Sequence, residues 1–181
     1  TAASSTPDEQ GFTSVIDCFS KAGKLSIAHE WLRTMRDLAV EPSIFSYNAL
    51  LSGYVKTKDP HGAVEVFNNL VEQNLTPNTR TMNNIVEAFS RTQDVMSAGD
   101  WVSKMQRHQV QPDVISYTSV ISACAKNSDG KAAEQWLETM LAKQIKPDVV
   151  AMSAVVDSFS KSGDIKTAAS FLHKMLYLEI A

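Results

Sequence analysis

Proline stands at Pro7, Pro42, Pro77, Pro112 and Pro147, each 35 positions beyond the last. No other feature restricts the fold as strongly, because a fixed step of a few tens of residues marks an array of small, similar structural units. Two further columns keep the same step. One is alanine throughout, at Ala28, Ala63, Ala98, Ala133 and Ala168, and the other is basic throughout, at Lys21, Lys56, Arg91, Lys126 and Lys161. Beginning each unit two residues after its proline gives repeats at 9–43, 44–78, 79–113, 114–148 and 149–181, the last about two residues short. Residues 1–8 read as the end of an upstream repeat, closing on Pro7-Asp8, or as an N-terminal stub.

Each unit divides into two helices. In 114–148, Val120, Ile121 and Cys124 recur at helical spacing in the first half, and Ala133, Trp136, Leu137 and Met140 form an i, i+3, i+4, i+7 stripe in the second. The turn "KNSDG" lies between them, with Asp129 placed as N-cap of the second helix; Asp59, Asp94 and Asp164 hold the same place in other units. The proline closes the unit because it cannot continue a helix. No window alternates apolar and polar residues as a strand requires, so the chain reads as all-α. A lone helix pair of this size leaves its apolar face in water, and stacking successive pairs buries it, which gives an α-solenoid. Trp31, Trp101 and Trp136 share one column with Val66 and Phe171 and fall in the apolar stripe of the second helices, where they pack the core or stack on a partner.

The 181 residues carry a net charge of −3 and an ordinary globular composition, 44% hydrophobic and 20% charged, so bulk charge gives no pull towards nucleic acid or acidic membranes. No run of apolar residues is long enough to span a bilayer. Cys18 and Cys124 lack metal-ligand spacing, and His29, His61, His108 and His173 pair with no cysteine or acid at such spacing. Glycine-rich phosphate loops, nucleophile elbows and the zinc-deaminase signature are absent. The reading is a non-enzymatic chain without metal or cofactor.

The segments "IFSYNALLSGYVKTKDPHGAVEVFNNLVEQNLTPN" (44–78) and "VISYTSVISACAKNSDGKAAEQWLETMLAKQIKPD" (114–148) resemble the pentatricopeptide repeat along their full length. The tetratricopeptide repeat fits less well, since its small-residue place in the first helix holds Ile16, Leu51, Val86, Ile121 and Val156. The resemblance covers 9–181, is closest to the pure 35-residue class, and makes the chain a piece of a longer array. It implies a right-handed superhelical solenoid whose first helices line a concave face. It also implies binding of single-stranded RNA, one base per repeat, in organellar RNA processing, stabilisation or translation in a chloroplast or mitochondrion. The alternative is a structural or protein-binding subunit of a large organellar assembly that reads no bases.

By the same resemblance, one base-reading group per repeat is Thr13, Asn48, Asn83, Thr118 or Ser153, all short hydroxyl or amide side chains. The second reader follows each proline: Ser43, Asn78, Asp113 and Asp148. Family pairing then assigns U to Asn83 with Asp113, G to Thr118 with Asp148, a pyrimidine to Asn48 with Asn78, and purines to Thr13 with Ser43 and to Ser153. The register is purine-pyrimidine-U-G-purine. Phe45, Arg80, Ile115 and Val150 occupy the base-stacking place, where Gln10 departs from the family, and Lys21, Lys56, Arg91, Lys126 and Lys161 face phosphates. Read without the family, the same Ser, Thr, Asn and Asp residues are helix caps, and the basic column is the charge a helix C-terminus favours. Asp17, Glu87 and Asp157 stand four residues before Lys21, Arg91 and Lys161, in the favourable order for ion pairs along a helix.

Overall fold

A computed structural model describes residues 8–177, with side chains as far as Met175. Its described residues form ten α-helices and no strand: α1 Glu9–Lys21, α2 Leu25–Asp37, α3 Ile44–Thr57, α4 Pro60–Glu72, α5 Thr79–Arg91, α6 Val95–Arg107, α7 Val114–Lys126, α8 Gly130–Ala142, α9 Val149–Lys161 and α10 Ile165–Tyr177. The odd-numbered, first helices start at 9, 44, 79, 114 and 149, in step with the prolines. Pro7 and residues 178–181 lie outside the described residues. The chain divides into two compact units, Thr1–Ala88 and Phe89–Ala181, with the boundary inside α5.

In the first unit α1 packs on both α2 and α3, and α3 packs on α4. In the second unit α7 packs on α8 and α9, and α9 on α10. A first helix therefore touches its own partner and the next first helix, which is how a stripe too small to make a core alone becomes part of one. Ile16, Met35, Leu50, Leu51 and Leu70 are fully buried in the first unit, as are Ile121, Met140 and Val155 in the second. The alanine column lies inside throughout, and at Ala28, Ala63, Ala98 and Ala133 no surface remains exposed. Val66, Trp101 and Phe171 are buried and Trp31 and Trp136 half-buried, with Trp31 against Phe12 (6.0 Å between ring centroids) and Trp136 against Tyr117 (6.2 Å). That column is core. Cys124 is buried too, and its burial pushes the thiol up to about 11, whereas Cys18 is exposed; both are free.

The helix starts follow their capping residues. Asp8, Asp113 and Asp148 accept hydrogen bonds from the backbone N–H groups of Gly11 (2.8 Å), Ser116 (3.0 Å) and Ala151 (2.8 Å). Asp59, Asp94, Asp129 and Asp164 cap four of the second helices in the same way, from Gly62 (3.0 Å), Ser97 (3.0 Å), Ala132 (3.0 Å) and Thr167 (3.1 Å). The bonds from the Thr167 N–H and hydroxyl hold the Asp164 carboxyl below the usual carboxylate range. At α2 the column carries Lys24, which makes no side-chain capping bond and sets a positive charge at the positive end of the helix dipole. Replacing Lys24 by Asp is expected to raise the unfolding free energy by about 1 kcal/mol, measured by urea denaturation of the whole chain.

The helix ends differ from the sequence reading. The second helices stop four or five residues before the proline, so proline is not what terminates them. They stop at a left-handed residue, Ala39 (φ 56°), Asn74 (57°), Gln109 (58°) or Gln144 (60°). In each case the next N–H reaches five residues back, as from Val40 to the Met35 carbonyl (2.9 Å) and from Ile145 to the Met140 carbonyl (3.1 Å). This is the Schellman closure, in which the left-handed residue turns the chain so that the last carbonyls are satisfied. Three of the four residues that adopt it are amides, and none is the glycine that would mark the stop in sequence.

Candidate nucleic-acid interface

Three of the columns meet in the first unit. An open cleft of about 560 Å³ is lined by Thr13, Asp17 and Lys21 of α1, Phe45 and Asn48 of α3, and Arg80 of α5. Thr13 and Asn48 come from the proposed reading column, Phe45 and Arg80 from the stacking column, and Lys21 from the basic column. They converge because α1 and α3 pack side by side, so residues 35 apart face the same way. Gln10 also lines the cleft, at the stacking place of the first repeat.

The stacking residues lie open to solvent. Phe45 is 65% exposed, Ile115 58% and Val150 58%, at the second residue of three different first helices. One exposed apolar side chain on a soluble protein needs no explanation, but the same position left uncovered in three repeats calls for a partner. Arg80 is exposed as well.

The reading column is more enclosed than its stacking neighbours. Asn48 is 2% exposed and its Oδ1 is buried without a hydrogen-bond partner, a deficit of about 1–3 kcal/mol that a bound donor at the cleft wall would relieve. Asn83 and Thr118 are buried, Thr13 is half-buried and Ser153 is exposed. The Thr13 hydroxyl shares a hydrogen bond with Ser46 Oγ at 2.7 Å. In the second unit the two members of one reading pair meet, with Thr118 Oγ1 donating to Asp148 Oδ1 at 3.3 Å.

Every residue of the second reading column is also a cap. Ser43 Oγ accepts from Phe45 N–H (3.2 Å) and donates to Glu9 Oε1; Asn78 Oδ1 accepts from Thr81 N–H (2.9 Å). Asp113 forms a capping box with Ser116. Asp148 holds both its bonds, from Ala151 N–H and Thr118, on Oδ1. Capping fixes these side chains in direction, and a carboxylate has two oxygens, so a cap spends one and leaves lone pairs on the other.

All five residues of the basic column are exposed. Lys21 pairs with Asp17 at 2.5 Å and Lys161 with Asp157 at 2.6 Å, the helical pairs expected from sequence. Lys56 Nζ donates to the Lys21 carbonyl, so it also caps the end of α1. Exposed pairs of this kind cost little to break, so the ammonium groups stay available to another anion.

The sequence reading missed a column that sets helix spacing. Cys18, Gly53, Ala88, Ala123 and Ser158 recur every 35 residues, all small, two places after the bulky column weighed against the tetratricopeptide pattern. At Gly53 a Cβ would stand 2.6 Å from Leu25 Cδ2, 2.9 Å from Ser20 Cβ and 3.0 Å from Ser20 Cα, so α1 and α3 touch there through backbone.

A PPR repeat family model matches residues 42–91, 77–126 and 112–161, a pentatricopeptide repeat domain model matches 6–56, and a PPR repeat model matches 150–180. A chloroplastic pentatricopeptide repeat-containing protein of Arabidopsis thaliana is 31% identical over 74 residues, 41% of this chain and 10% of its own length. Another from the same plant is 33% identical over 61 residues, 34% of this chain and 9% of its own length. The chain thus spans about a tenth of the length of these relatives. Among solved structures, the PPR domain of Arabidopsis thaliana protein-only RNase P 1 in complex with tRNA aligns with a TM-score of 0.74 at 20% identity, over 91% of this chain and 87% of that one. The maize pentatricopeptide repeat protein PPR10 in complex with an 18-nt psaJ RNA element aligns at 0.60 and 22% identity, over 99% of this chain and 32% of that one. These likenesses show the fold, an all-α solenoid of stacked helical pairs. With a family model matching more than half of its residues, the chain belongs to the pentatricopeptide repeat family.

Proposed function

We propose that the chain binds single-stranded RNA along its first helices, with sequence preference, and that it acts on a transcript in a chloroplast or mitochondrion. The observation that carries this reading is the cleft of the first unit, where exposed Phe45 and Arg80 flank Asn48 and Thr13 with Lys21 at hand. A base stacks on Phe45 or under the Arg80 guanidinium, contacts worth about 1–3 kcal/mol per base. A neutral amide or hydroxyl reads its edge without the cost of burying a charge, and an ammonium meets the phosphate. Two structural neighbours are solved with RNA, one with tRNA and one with an 18-nt element. The localisation leans on the chloroplastic relative.

The proposed units are the five repeats, and the proposed register is purine-pyrimidine-U-G-purine. Asp113 and Asp148, paired with Asn83 and Thr118, select the U and the G, because an ionised carboxylate only accepts and both bases present an N–H edge. Ser43, Asn78 and Ser153 complete the pairs at the flanks. Ile115 and Val150 take the stacking role in the second unit, and Lys56, Arg91, Lys126 and Lys161 the phosphate role beside Lys21.

Titration of the chain with a labelled oligonucleotide carrying this register, beside a scrambled one, tests the proposal. The matched strand is expected to bind at least tenfold tighter, with log K falling against log salt at a slope of about −3.5 for five contacts on a single strand. Equal, weak affinity for both strands would instead favour the second reading, a protein-binding repeat that uses Ser43, Asn78, Asp113 and Asp148 purely as caps.

A further inference from the structure

The spaces between successive second helices recur through the array, and one differs in charge from its counterparts. A notch of about 270 Å³ lies between α2 and α4, and its floor includes Tyr47 and Leu50 of α3. Its counterpart between α6 and α8 is lined by the residues 70 places on, and that between α8 and α10 by those 105 places on. The repeat therefore supplies its own controls. Where the first notch has Arg33 and Arg36, the second of these has Ser103 and Gln106, and the third has Glu138 and Leu141. Where the first has His29, the third has Glu134. Stacking alone does not require cations here, because the equivalent places do without them.

The cations are held in place. Arg36 Nη2 donates to Asn69 Oδ1 at 2.9 Å and to the Tyr47 hydroxyl, which itself donates to Asn69 Oδ1 at 2.9 Å. That anchors one end of the guanidinium and leaves Nη1 for another acceptor. His29 Nε2 shares a hydrogen bond with the Tyr54 hydroxyl at 2.7 Å. Desolvation of the ring lowers the His29 pKa from its usual value, so at neutral pH it offers a hydrogen bond and no charge. Arg33 is exposed at the rim.

We propose that this notch is a docking site for an acidic side chain of a partner protein, a carboxylate flanked by an apolar residue, separate from the cleft where RNA is placed. The partner's charge follows from the Arg33 and Arg36 pair. Its apolar component follows from Leu32, Leu50 and Val66 in the lining, which a methylene stem or a neighbouring leucine covers and a phosphodiester does not. Glu65 on the same wall disfavours the second charge of a phosphate monoester and tolerates a single carboxylate. The two sites use different side chains of α3, Phe45 and Asn48 in the cleft and Tyr47 and Leu50 in the notch, so both can be occupied together.

A fluorescent twelve-residue peptide of alternating glutamate and leucine, titrated into the whole chain, tests this, with a lysine-leucine peptide as its opposite. The glutamate peptide is expected to bind and the lysine peptide not to. The exchange R33S/R36Q, which writes the α6–α8 notch into the first, is expected to weaken the glutamate peptide at least tenfold and to leave RNA affinity within twofold. The reverse graft, S103R/Q106R in the R33S/R36Q chain, is expected to restore binding, since Tyr117 stands there in the place of Tyr47. Unchanged peptide affinity in R33S/R36Q overturns the proposal. So does a failed graft in a folded chain, or competition by RNA for the peptide. The outcome is independent of whether the RNA register is right.

Discussion

Replacing Gly53 by leucine is expected to lower the unfolding free energy by about 2–3 kcal/mol, a large share of the 5–15 kcal/mol that holds an ordinary domain together. Gly53 lies in the middle of α3 and is buried against the end of α1. An added Cβ meets Leu25 Cδ2 at 2.6 Å, which can swing away, and Ser20 Cα at 3.0 Å, which cannot. A full leucine side chain has only the space occupied by α1 to enter, so the two first helices must part. The better helix propensity of leucine returns roughly 0.7 kcal/mol, which is why the net loss is not larger. Alanine at the same place is the informative control. It gains about 1 kcal/mol of propensity and still carries the 2.9 Å approach to Ser20 Cβ, so Gly53→Ala should lie near neutral. Adding Ser20→Gly to Gly53→Ala should then be stabilising beyond the sum of the two changes. Ser20 Oγ is buried without a partner and is no loss, and removing its Cβ opens the contact. Urea denaturation of the four chains measures this coupling. Additive effects would mean that α1 and α3 are not spaced by this contact.

The fold was legible because its signals repeat. Asp59, Asp94, Asp129 and Asp164 announce helix starts by a local hydrogen bond that needs nothing from the rest of the chain, and each is found capping. Lys24, in the same column, could not be read that way, and α2 starts there regardless because its buried face, Ala28, Leu32 and Met35, is held by packing. The helix stops were misread as the work of proline. Ala39 adopts the left-handed conformation without glycine's freedom, since burying Met35 and satisfying its carbonyl outweighs the local strain. The site was legible as columns and not as contacts. That Thr13, Asn48, Phe45 and Lys21 face one way follows from a shared period. That Thr118 donates to Asp148, or that Asn48 Oδ1 is enclosed, depends on the distance between neighbouring helices, which no single repeat encodes. The cationic notch shows the same divide. The departures at Arg33 and Arg36 are visible in the sequence, but that those two columns line one cavity with Tyr47 is a matter of packing.

Exchanging Arg80 for glutamate and Lys21 for glutamine together is expected to weaken single-stranded RNA binding about 25-fold near 0.1 M salt and to flatten the salt slope by about 1.4. Both figures rest on ~0.7 of log K per decade of salt for each phosphate contact on a single strand. The two residues suit the test because the fold does not depend on their charge. Arg80 is the second residue of α5 and exposed, where an acidic side chain is favoured by the helix dipole, so Arg80→Glu should not destabilise the chain. Lys21 loses an exposed pair with Asp17, worth at most about 0.5 kcal/mol. Unfolding should therefore move by less than 1 kcal/mol while affinity falls, and that separation distinguishes a binding surface from a structural one. The pair also adds three negative charges to a chain already at −3. Lys131→Glu with Lys166→Gln makes the same change of charge near the starts of α8 and α10, outside the cleft, and serves as the control. If the control loses as much as the cleft pair, the strand senses only the overall field. If neither loses more than twofold, the lysine and arginine of this cleft do not meet phosphate, and the case for RNA lying against Phe45 and Asn48 falls with them.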